Sequence, residues 1–411
     1  MIQQAIHSLR LGHWPTLVGA WLHFEVSFMV WLLIGALSIP ISEDLGLTAT
    51  QKGFLVGFPL LGGAILRIVV GPFADYFGAK LLGLGILGLE GLALFLGWQG
   101  GYSVEAMYGI GVLLGFAGSS FAIALPLASQ AYPPAFQGLA MGVAAIGNSG
   151  VFLTSLLAPR LAQYMAWNHV FGVMLVPVAL TFGLFAFLVQ RDSRPAASTA
   201  FRRCDRSSYS FIKSLKDPFM YWLCFLYSVT FGGFVGFSSY LPIFLHDQYQ
   251  VGMVVAGTLT AICGFTGSVA RPIGGYLADR LGGLSLLKGL FLGLGLLCVL
   301  SGFLTSFAGI SWAMVILVLM MGGLGFGNGV IFQVVGSRFR QIMGTASGLI
   351  GAAGGLGGFF LPVWFGWLKD VSGLFSSGFF IFAIILGIAG VSAMMVYRTV
   401  GPGLSKPVEE F

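Results

Sequence analysis

Two arginines lie in apolar stretches of this chain, and their side chains and spacing could bind an anion. Arg67 stands in GGAILRIVVGPFADYFG with apolar neighbours on both sides, and Arg271 stands in a similar stretch 204 residues further on. A guanidinium keeps its charge and donates forked hydrogen bonds that match a planar oxyanion. A charged side chain among apolar residues is costly, so the pair indicates a function.

Both arginines belong to one repeated pattern, Gly-x3-Arg-x3-Gly-x3-Asp-x2-Gly. The glycines four residues before and after each arginine share its helix face, where they would let neighbouring helices approach closely. The charge of each arginine needs a partner, and two sources are open. The acids deep inside apolar runs, Glu25 and Glu90, could pair with the arginines. We favour the alternative, in which an anionic substrate supplies the charge.

The composition places the chain in a membrane. It is 57% hydrophobic and 8% charged, whereas soluble domains are roughly 25% charged. Apolar runs long enough to cross about 30 Å of hydrocarbon recur from end to end. They predict an all-α membrane protein with twelve transmembrane helices, at about residues 16–40, 51–74, 80–98, 104–126, 137–160, 168–189, 218–245, 250–276, 284–306, 310–333, 341–366 and 375–398.

One long polar and basic segment, 190–217, divides these spans six and six. It predicts an N-terminal six-helix bundle over 1–189, a cytoplasmic linker over 190–217 and a C-terminal six-helix bundle over 218–411. Of the twenty Lys and Arg residues, fifteen fall on the side of the termini and three on the other. The positive-inside rule therefore predicts that both termini are cytoplasmic. The same rule explains the net charge of +6 without a nucleic-acid partner.

The repeat also predicts the depth of the arginines. Arg67 lies eight residues before Asp75, which marks the predicted cytoplasmic end of its helix. Eight residues of helix span about 12 Å, close to the roughly 15 Å of half a hydrocarbon core. The two copies lie in the second and the eighth spans. Because this offset is an even number of spans, the halves have the same orientation. We expect Arg67 and Arg271 on opposite walls of one midplane cavity, as in transporters built from parallel repeats.

Two glycine-rich segments carry a resemblance to a known family. They read GLAMGVAAIGNSGVFLTSLLAP at 138–159 and GTASGLIGAAGGLGGFFLP at 344–362. They resemble the nitrate signature motifs of the nitrate/nitrite porters, a family of the major facilitator superfamily, and the resemblance covers essentially the whole chain. It implies the two-bundle major facilitator fold in the cell inner membrane. It also implies secondary active transport of nitrate, and of nitrite as a second substrate.

The resemblance further implies roles for individual residues. Arg67 and Arg271 match the substrate-binding arginines of the family, and Asn148 in GNSG matches its signature asparagine. Tyr227 and Phe231 match an aromatic pair in the pocket wall.

Three more residues join the predicted substrate site. Phe28 and Phe121 resemble further pocket aromatics, and each could instead pack within the membrane. Asn328 is a second intramembrane amide, which could contact the substrate or form a hydrogen bond between helices.

The predicted mechanism is alternating access, with nitrate bridging the arginines. We expect nitrate/proton symport, in which Glu25 of the first span is the proton-coupling candidate. Nitrate/nitrite antiport needs no titrating group and stays open, with Glu25 then a structural residue or a partner of Arg67. Glu90 is expected to be structural.

Other classes of protein fit the sequence less well. No metal-like cluster, nucleophile constellation or phosphate loop is present in the sequence, so we predict neither an enzyme nor a cofactor. A channel would share the basic midplane, although the parallel repeat favours a carrier. A porter for another small planar anion, such as formate, fits the arginines equally well. We expect a monomer in the lipid bilayer.

Overall fold

The computed structural model describes residues 12–100, 103–133, 136–190, 217–305, 307, 309–339 and 343–400. Most of the predicted linker 190–217 lies outside these described residues, as do both chain ends. In the described part of the chain the regular secondary structure is helical, without a β-strand.

The chain forms sixteen α-helices and one 3-10 helix within the described residues. In order these are α1 (Trp14–Trp31), α2 (Leu33–Ala36), α3 (Ser38–Leu45), α4 (Ala49–Phe77), α5 (Ala79–Gln99), α6 (Val104–Gly118), α7 (Phe121–Gln130), α8 (Gln137–Ala145), the 3-10 helix Ile146–Ser149, α9 (Gly150–Leu161), α10 (Trp167–Leu188), α11 (Pro218–Tyr249), α12 (Met253–Leu281), α13 (Gly283–Leu304), α14 (Ile310–Arg338), α15 (Met343–Ser372) and α16 (Ser376–Val400).

These helices account for the twelve predicted spans. Within the described residues, eleven helical stretches are long and apolar enough to cross a membrane. The remaining predicted span, 16–40, corresponds to α1, α2 and α3 in succession. That span is not one continuous helix as predicted, because the backbone leaves helical geometry at Leu32 and Leu37. The all-α fold with twelve membrane helices is confirmed, and the division into two bundles stays a prediction.

The repeated sequence pattern produces a repeated structure. The last glycine of each copy, Gly78 and Gly282, ends its arginine helix with a φ of +88° and +83° respectively. Residues with a side chain rarely adopt such angles, which explains the glycine at this position in both copies. The helix ends at the same step of the pattern in each half, so the arginines occupy equivalent positions on α4 and α12.

The glycines around the arginines differ in their contacts. A Cβ atom added at Gly63 would lie 2.9 Å from the Trp31 indole, and one at Gly267 would lie 2.5 Å from the Phe234 ring. By contrast, Gly71 has open space where a Cβ would be, and Gly275 has its nearest neighbour at 3.7 Å. The glycine that precedes each arginine therefore faces a close neighbour, and Gly275 is approached closely from the other side, since a Cβ added at Gly329 of α14 would lie 2.7 Å from its nitrogen.

Helices α4 and α15 pack against each other in antiparallel fashion along a line of small residues, which we call the α4–α15 seam. A Cβ atom added at Gly366 would overlap the carbonyl oxygen of Ala49. Further along, one added at Gly355 would lie 2.8 Å from the Cβ of Ala64. Small residues permit this close approach of two backbones. The seam joins a helix that precedes the predicted linker to one that follows it.

Hydrogen bonds from α4 to Asp370 of α15 close one end of this seam, which we call the Asp370 end. The Asp370 carboxylate accepts from the backbone N–H of Ala49 at 3.1 Å and from that of Thr50 at 2.8 Å. These N–H groups belong to the first turn of α4, where intrahelical partners are missing. Nearby, Lys52 of α4 forms an ion pair of 2.7 Å with Asp247 of α11. The helices are thus tied together at this end.

Candidate functional site

Arg67 is almost completely buried, with 1% of its surface exposed. Its Nε donates to the carbonyl oxygen of Gly118 at 2.7 Å, and its Nη1 donates to that of Gly351 at 2.8 Å. Its Nη2 is buried and has no hydrogen-bond partner among the described residues. The guanidinium is therefore held by two main-chain carbonyls and keeps one nitrogen for another ligand.

Three aromatic rings surround the Arg67 guanidinium. Its Cζ lies 4.8 Å from the ring centroid of Trp31, 5.2 Å from that of Phe231 and 5.5 Å from that of Phe121. Ring faces attract a cation and exclude water from it. The three rings thus stabilise a charged group that has no carboxylate beside it.

Arg271 approaches the same aromatic group from α12. Its Cζ lies 5.5 Å from the ring centroid of Phe332 and 5.8 Å from that of Phe121. Its Nη1 is buried without a hydrogen-bond partner in the described part of the chain. Both guanidiniums contact the Phe121 ring. The distance between the two Cζ atoms therefore cannot exceed the sum of their distances to the centroid of that ring. The structure brings the two predicted arginines together.

Tyr227 and Phe231 form one wall of this site. Their rings stack with centroids 5.0 Å apart and planes inclined by 5°. The Tyr227 hydroxyl lies near both guanidiniums. A Cβ atom added at Gly354 would lie 2.7 Å from the Tyr227 ring and 2.8 Å from the Phe231 ring. The second glycine-rich segment therefore packs directly behind the predicted aromatic pair.

The two predicted amides are buried as well. Asn148 lies in the 3-10 helix between α8 and α9, and Asn328 lies on α14; each is 1% exposed. In both side chains the Oδ1 atom has no hydrogen-bond partner among the described residues. Buried amides usually have their polar atoms paired, so both have capacity for a ligand or for water.

Phe28 lies one layer further from the guanidiniums. Its ring makes an edge contact of 5.3 Å with Trp31, which in turn covers Arg67. It makes a second edge contact of 5.6 Å with Phe24. Phe28 thus packs behind Trp31, which is the ring that contacts Arg67.

The buried acids have partners other than the arginines. Glu25 accepts a hydrogen bond of 2.7 Å from the hydroxyl of Ser149, and Glu90 accepts one of 2.7 Å from Ser27. Among the described side chains Lys52–Asp247 is an ion pair and His246–Glu43 becomes one only when the histidine is protonated, so neither arginine takes part in one. Pairing of the arginines with Glu25 and Glu90 is therefore not the arrangement found.

Sequence reasoning missed two aromatic residues of the site, Trp31 and Phe332. Phe332 makes edge contacts with Phe121 at 5.6 Å and with Tyr227 at 5.1 Å, in addition to its contact with Arg271. Helical spacing could have indicated both residues. Trp31 follows Phe28 by three residues and Phe332 follows Asn328 by four, which places each on the face of a predicted residue.

Comparison with known proteins places the chain in a family. The model of the Major Facilitator Superfamily matches residues 20–362. A probable nitrate/nitrite transporter NarK2 of Mycobacterium tuberculosis is 31% identical over 353 residues, which are 84% of this chain and 86% of the relative. The chain belongs to the nitrate/nitrite porter family of the major facilitator superfamily.

Two further relatives illustrate the range of this porter family. A probable nitrate/nitrite antiporter NarK1 of Thermus thermophilus is 28% identical over 408 residues, 92% of this chain and 90% of the relative. A nitrite extrusion protein of Bacillus subtilis strain 168 is 30% identical over 365 residues, 87% of this chain and 88% of the relative. This porter is thus a multi-pass membrane transporter.

Proposed function

We propose that this chain transports nitrate, and nitrite as a second substrate, across the cytoplasmic membrane, with the anion bound between Arg67 and Arg271. One observation carries the proposal. Two buried guanidiniums face the same Phe121 ring, and each has a buried nitrogen without a partner among the described residues. Two such cations without a carboxylate partner make a site for an anion.

The chemistry around the arginines suits a flat, weakly basic anion. Guanidinium N–H groups lie in the plane of a bound oxyanion, and the rings of Phe231 and Phe332 can face it. The Tyr227 hydroxyl can donate to the anion. The NH2 groups of the buried Asn148 and Asn328 can donate to an anion as well. The names of the relatives favour nitrate and nitrite over formate.

We propose alternating access as the mechanism, with both chain ends in the cytoplasm. The Asp370 end is closed by hydrogen bonds and by the Lys52–Asp247 ion pair, so an anion can pass it only after the helices separate there. A fixed channel would need no such closure. The two predicted bundles, 1–189 and 218–411, would move as units around the arginines in a monomer.

For coupling we propose nitrate/proton symport through Glu25. Its carboxylate is bound by Ser149, the residue next to Asn148, so a proton on Glu25 and an anion at Asn148 would affect each other. Antiport remains the second candidate, since one relative is named as an antiporter.

The central test measures nitrate uptake into proteoliposomes. Wild-type protein is compared with Arg67→Ala and Arg271→Ala. The control is Arg338→Ala, because Arg338 is the last residue of α14 and its guanidinium contacts Phe219. We expect both site variants to lose saturable uptake and the control to retain it. Normal uptake by both site variants would contradict the proposed binding site. Single-channel currents in the wild type would favour a channel, and saturable uptake of formate with no nitrate uptake would favour the other porter.

A further inference from the structure

The two repeat-related arginines differ in how the main chain holds them, and this difference extends the proposed function on which it rests. Arg67 donates to Gly118 of α6 and to Gly351 of α15. Gly118 precedes the predicted linker, whereas Gly351 follows it and lies in the second glycine-rich segment. The guanidinium of Arg67 thus makes a hydrogen bond across the two halves of the sequence, in the α4–α15 seam.

The two carbonyls depend on Arg67 to different degrees. Gly118 is the last residue of α6, and the N–H of Ala122 donates to Ser119. The Gly118 carbonyl therefore lacks a helical partner and needs Arg67. Gly351 lies inside α15, where its carbonyl also accepts the helical hydrogen bond from the N–H of Gly355. The Gly351 carbonyl therefore loses less stabilisation than the Gly118 carbonyl when Arg67 moves away, because it keeps its helical hydrogen bond.

A planar oxyanion would share one nitrogen of Arg67 with the Gly351 carbonyl. Its forked contact uses the Nη1 and Nη2 edge of Arg67, since Nε is taken by Gly118. One anion oxygen then lies on Nη1, beside the Gly351 carbonyl oxygen that Nη1 already contacts at 2.8 Å. Nη1 carries two hydrogens and can donate to both oxygens, but the two oxygens repel each other, and the neutral carbonyl binds the guanidinium more weakly than the charged anion does.

We propose that the Gly351 carbonyl is a displaceable partner of Arg67, so that anion binding weakens the Arg67–Gly351 hydrogen bond and frees α15 from α4 at the binding site. Coupling of this kind is reciprocal: whatever weakens the Arg67–Gly351 bond strengthens anion binding, and the reverse. Arg67 then serves both as an anion ligand and as a contact of the seam that must open. Among the described residues Arg271 makes no equivalent hydrogen bond to a backbone carbonyl, and it serves as a ligand alone.

The test weakens one carbonyl without changing any side chain. Lactic acid in place of Ala352 turns the preceding peptide bond into an ester, which makes the Gly351 carbonyl a poorer acceptor and removes one helical N–H. Lactic acid in place of Ala353 is the matched control, because it removes one N–H in the same helix and weakens the carbonyl of Ala352. Nitrate affinity is measured by calorimetry on full-length protein in detergent.

The sign of the change decides the outcome. If the Gly351 carbonyl is displaceable, the protein with the ester at position 352 should bind nitrate more tightly than the control with the ester at 353. The expected difference is roughly three- to tenfold, the range of one hydrogen bond. Equal or weaker binding would overturn the proposal, because a carbonyl that only positions Arg67 would lose affinity when weakened. No nitrate binding by the wild type would overturn the proposed function, and this inference with it.

A second measurement needs no altered backbone, in case the esters do not fold. The wild-type protein is labelled with carbon-13 at the carbonyl of Gly351, and its infrared band is recorded with and without nitrate. Displacement predicts a shift to higher frequency, as a carbonyl that loses a hydrogen bond shows. A label at Ala352 should not shift. An unshifted Gly351 band at saturating nitrate would overturn the proposal.

Discussion

The carboxylate of Asp370 caps the helix that carries Arg67, although Asp370 and Thr50 are 320 positions apart in the chain. Its Oδ2 atom accepts both the backbone N–H and the hydroxyl of Thr50. A negative charge at a helix N-terminus also interacts favourably with the helix dipole. The end of α15 thus stabilises the start of α4, and separation of the two helices must break these bonds.

Replacement of Asp370 by asparagine should weaken this closure. Asp370→Asn keeps the shape of the side chain and removes its charge, so we expect backbone amides at 49–53 to exchange with deuterium about tenfold faster, the range of a hydrogen bond to a charged group. Hydrogen exchange with mass spectrometry measures this rate. Asp44→Asn is the control, since Asp44 accepts from Trp167 in the same half of the chain. Unchanged exchange at 49–53 would contradict a closing role for Asp370.

Loss of the Tyr227 hydroxyl should weaken substrate binding without loss of packing. Tyr227→Phe keeps the stacked contact with Phe231 and removes the group that interacts with both arginines. We expect the KM for nitrate to rise about three- to tenfold, with little change in Tm. Tyr240→Phe is the matched control, because the Tyr240 hydroxyl is buried without a partner in the described structure. A similar KM in both variants would remove Tyr227 from the site.

Substitution of the two buried acids should distinguish an acid that couples transport to protons from an acid that is only structural. Under symport, Glu25→Gln should abolish nitrate accumulation driven by a proton gradient, because glutamine cannot release a proton. Exchange of external nitrate for internal nitrite should survive. Glu90→Gln, which removes the acid bound by Ser27, should retain both activities. Gradient-driven uptake by Glu25→Gln at the wild-type rate would instead favour antiport, with Glu25 as a structural partner of Ser149.

A pair of glycine substitutions tests the packing of the seam. An added Cβ at Gly366 would overlap the Ala49 carbonyl oxygen, whereas Gly387 of α16 has nothing within 4 Å. We expect Gly366→Ala to lower Tm, because overpacking typically lowers the free energy of unfolding by roughly 1–3 kcal/mol. Gly387→Ala should raise Tm slightly, since alanine favours helix over glycine by about 1 kcal/mol. Thermal unfolding in detergent measures both, and equal Tm values would contradict the close approach of α4 and α15.

The sequence predicted the fold and the charged centre of the site because both follow from strong local signals. Apolar run length indicated the spans, and the repeated glycine and arginine pattern placed Arg67 and Arg271 on equivalent helices. The main-chain acceptors Gly118 and Gly351 could not be predicted, since any residue offers a carbonyl and only the tertiary structure determines which one reaches a guanidinium.

The same limit applies to the aromatic residues. The chain has 38 Phe residues, so composition alone could not separate the ring of Phe332, which contacts Arg271, from rings that only pack. The interruptions at Leu32 and Leu37 were also missed, since leucine is a good helix former and carries no breaking signal.

The position of Trp31 gives the protein an intrinsic optical reporter. Its indole lies 4.8 Å from the Arg67 guanidinium, and its N–H donates to the carbonyl oxygen of Pro59 at 2.7 Å, which fixes the ring. Indole fluorescence responds to nearby charge, so neutralisation of Arg67 by an anion would change the emission of this one fluorophore among nine tryptophans. A difference spectrum between wild type and Trp31→Phe would isolate that signal. Occupancy of the site could then be followed in real time without any attached dye.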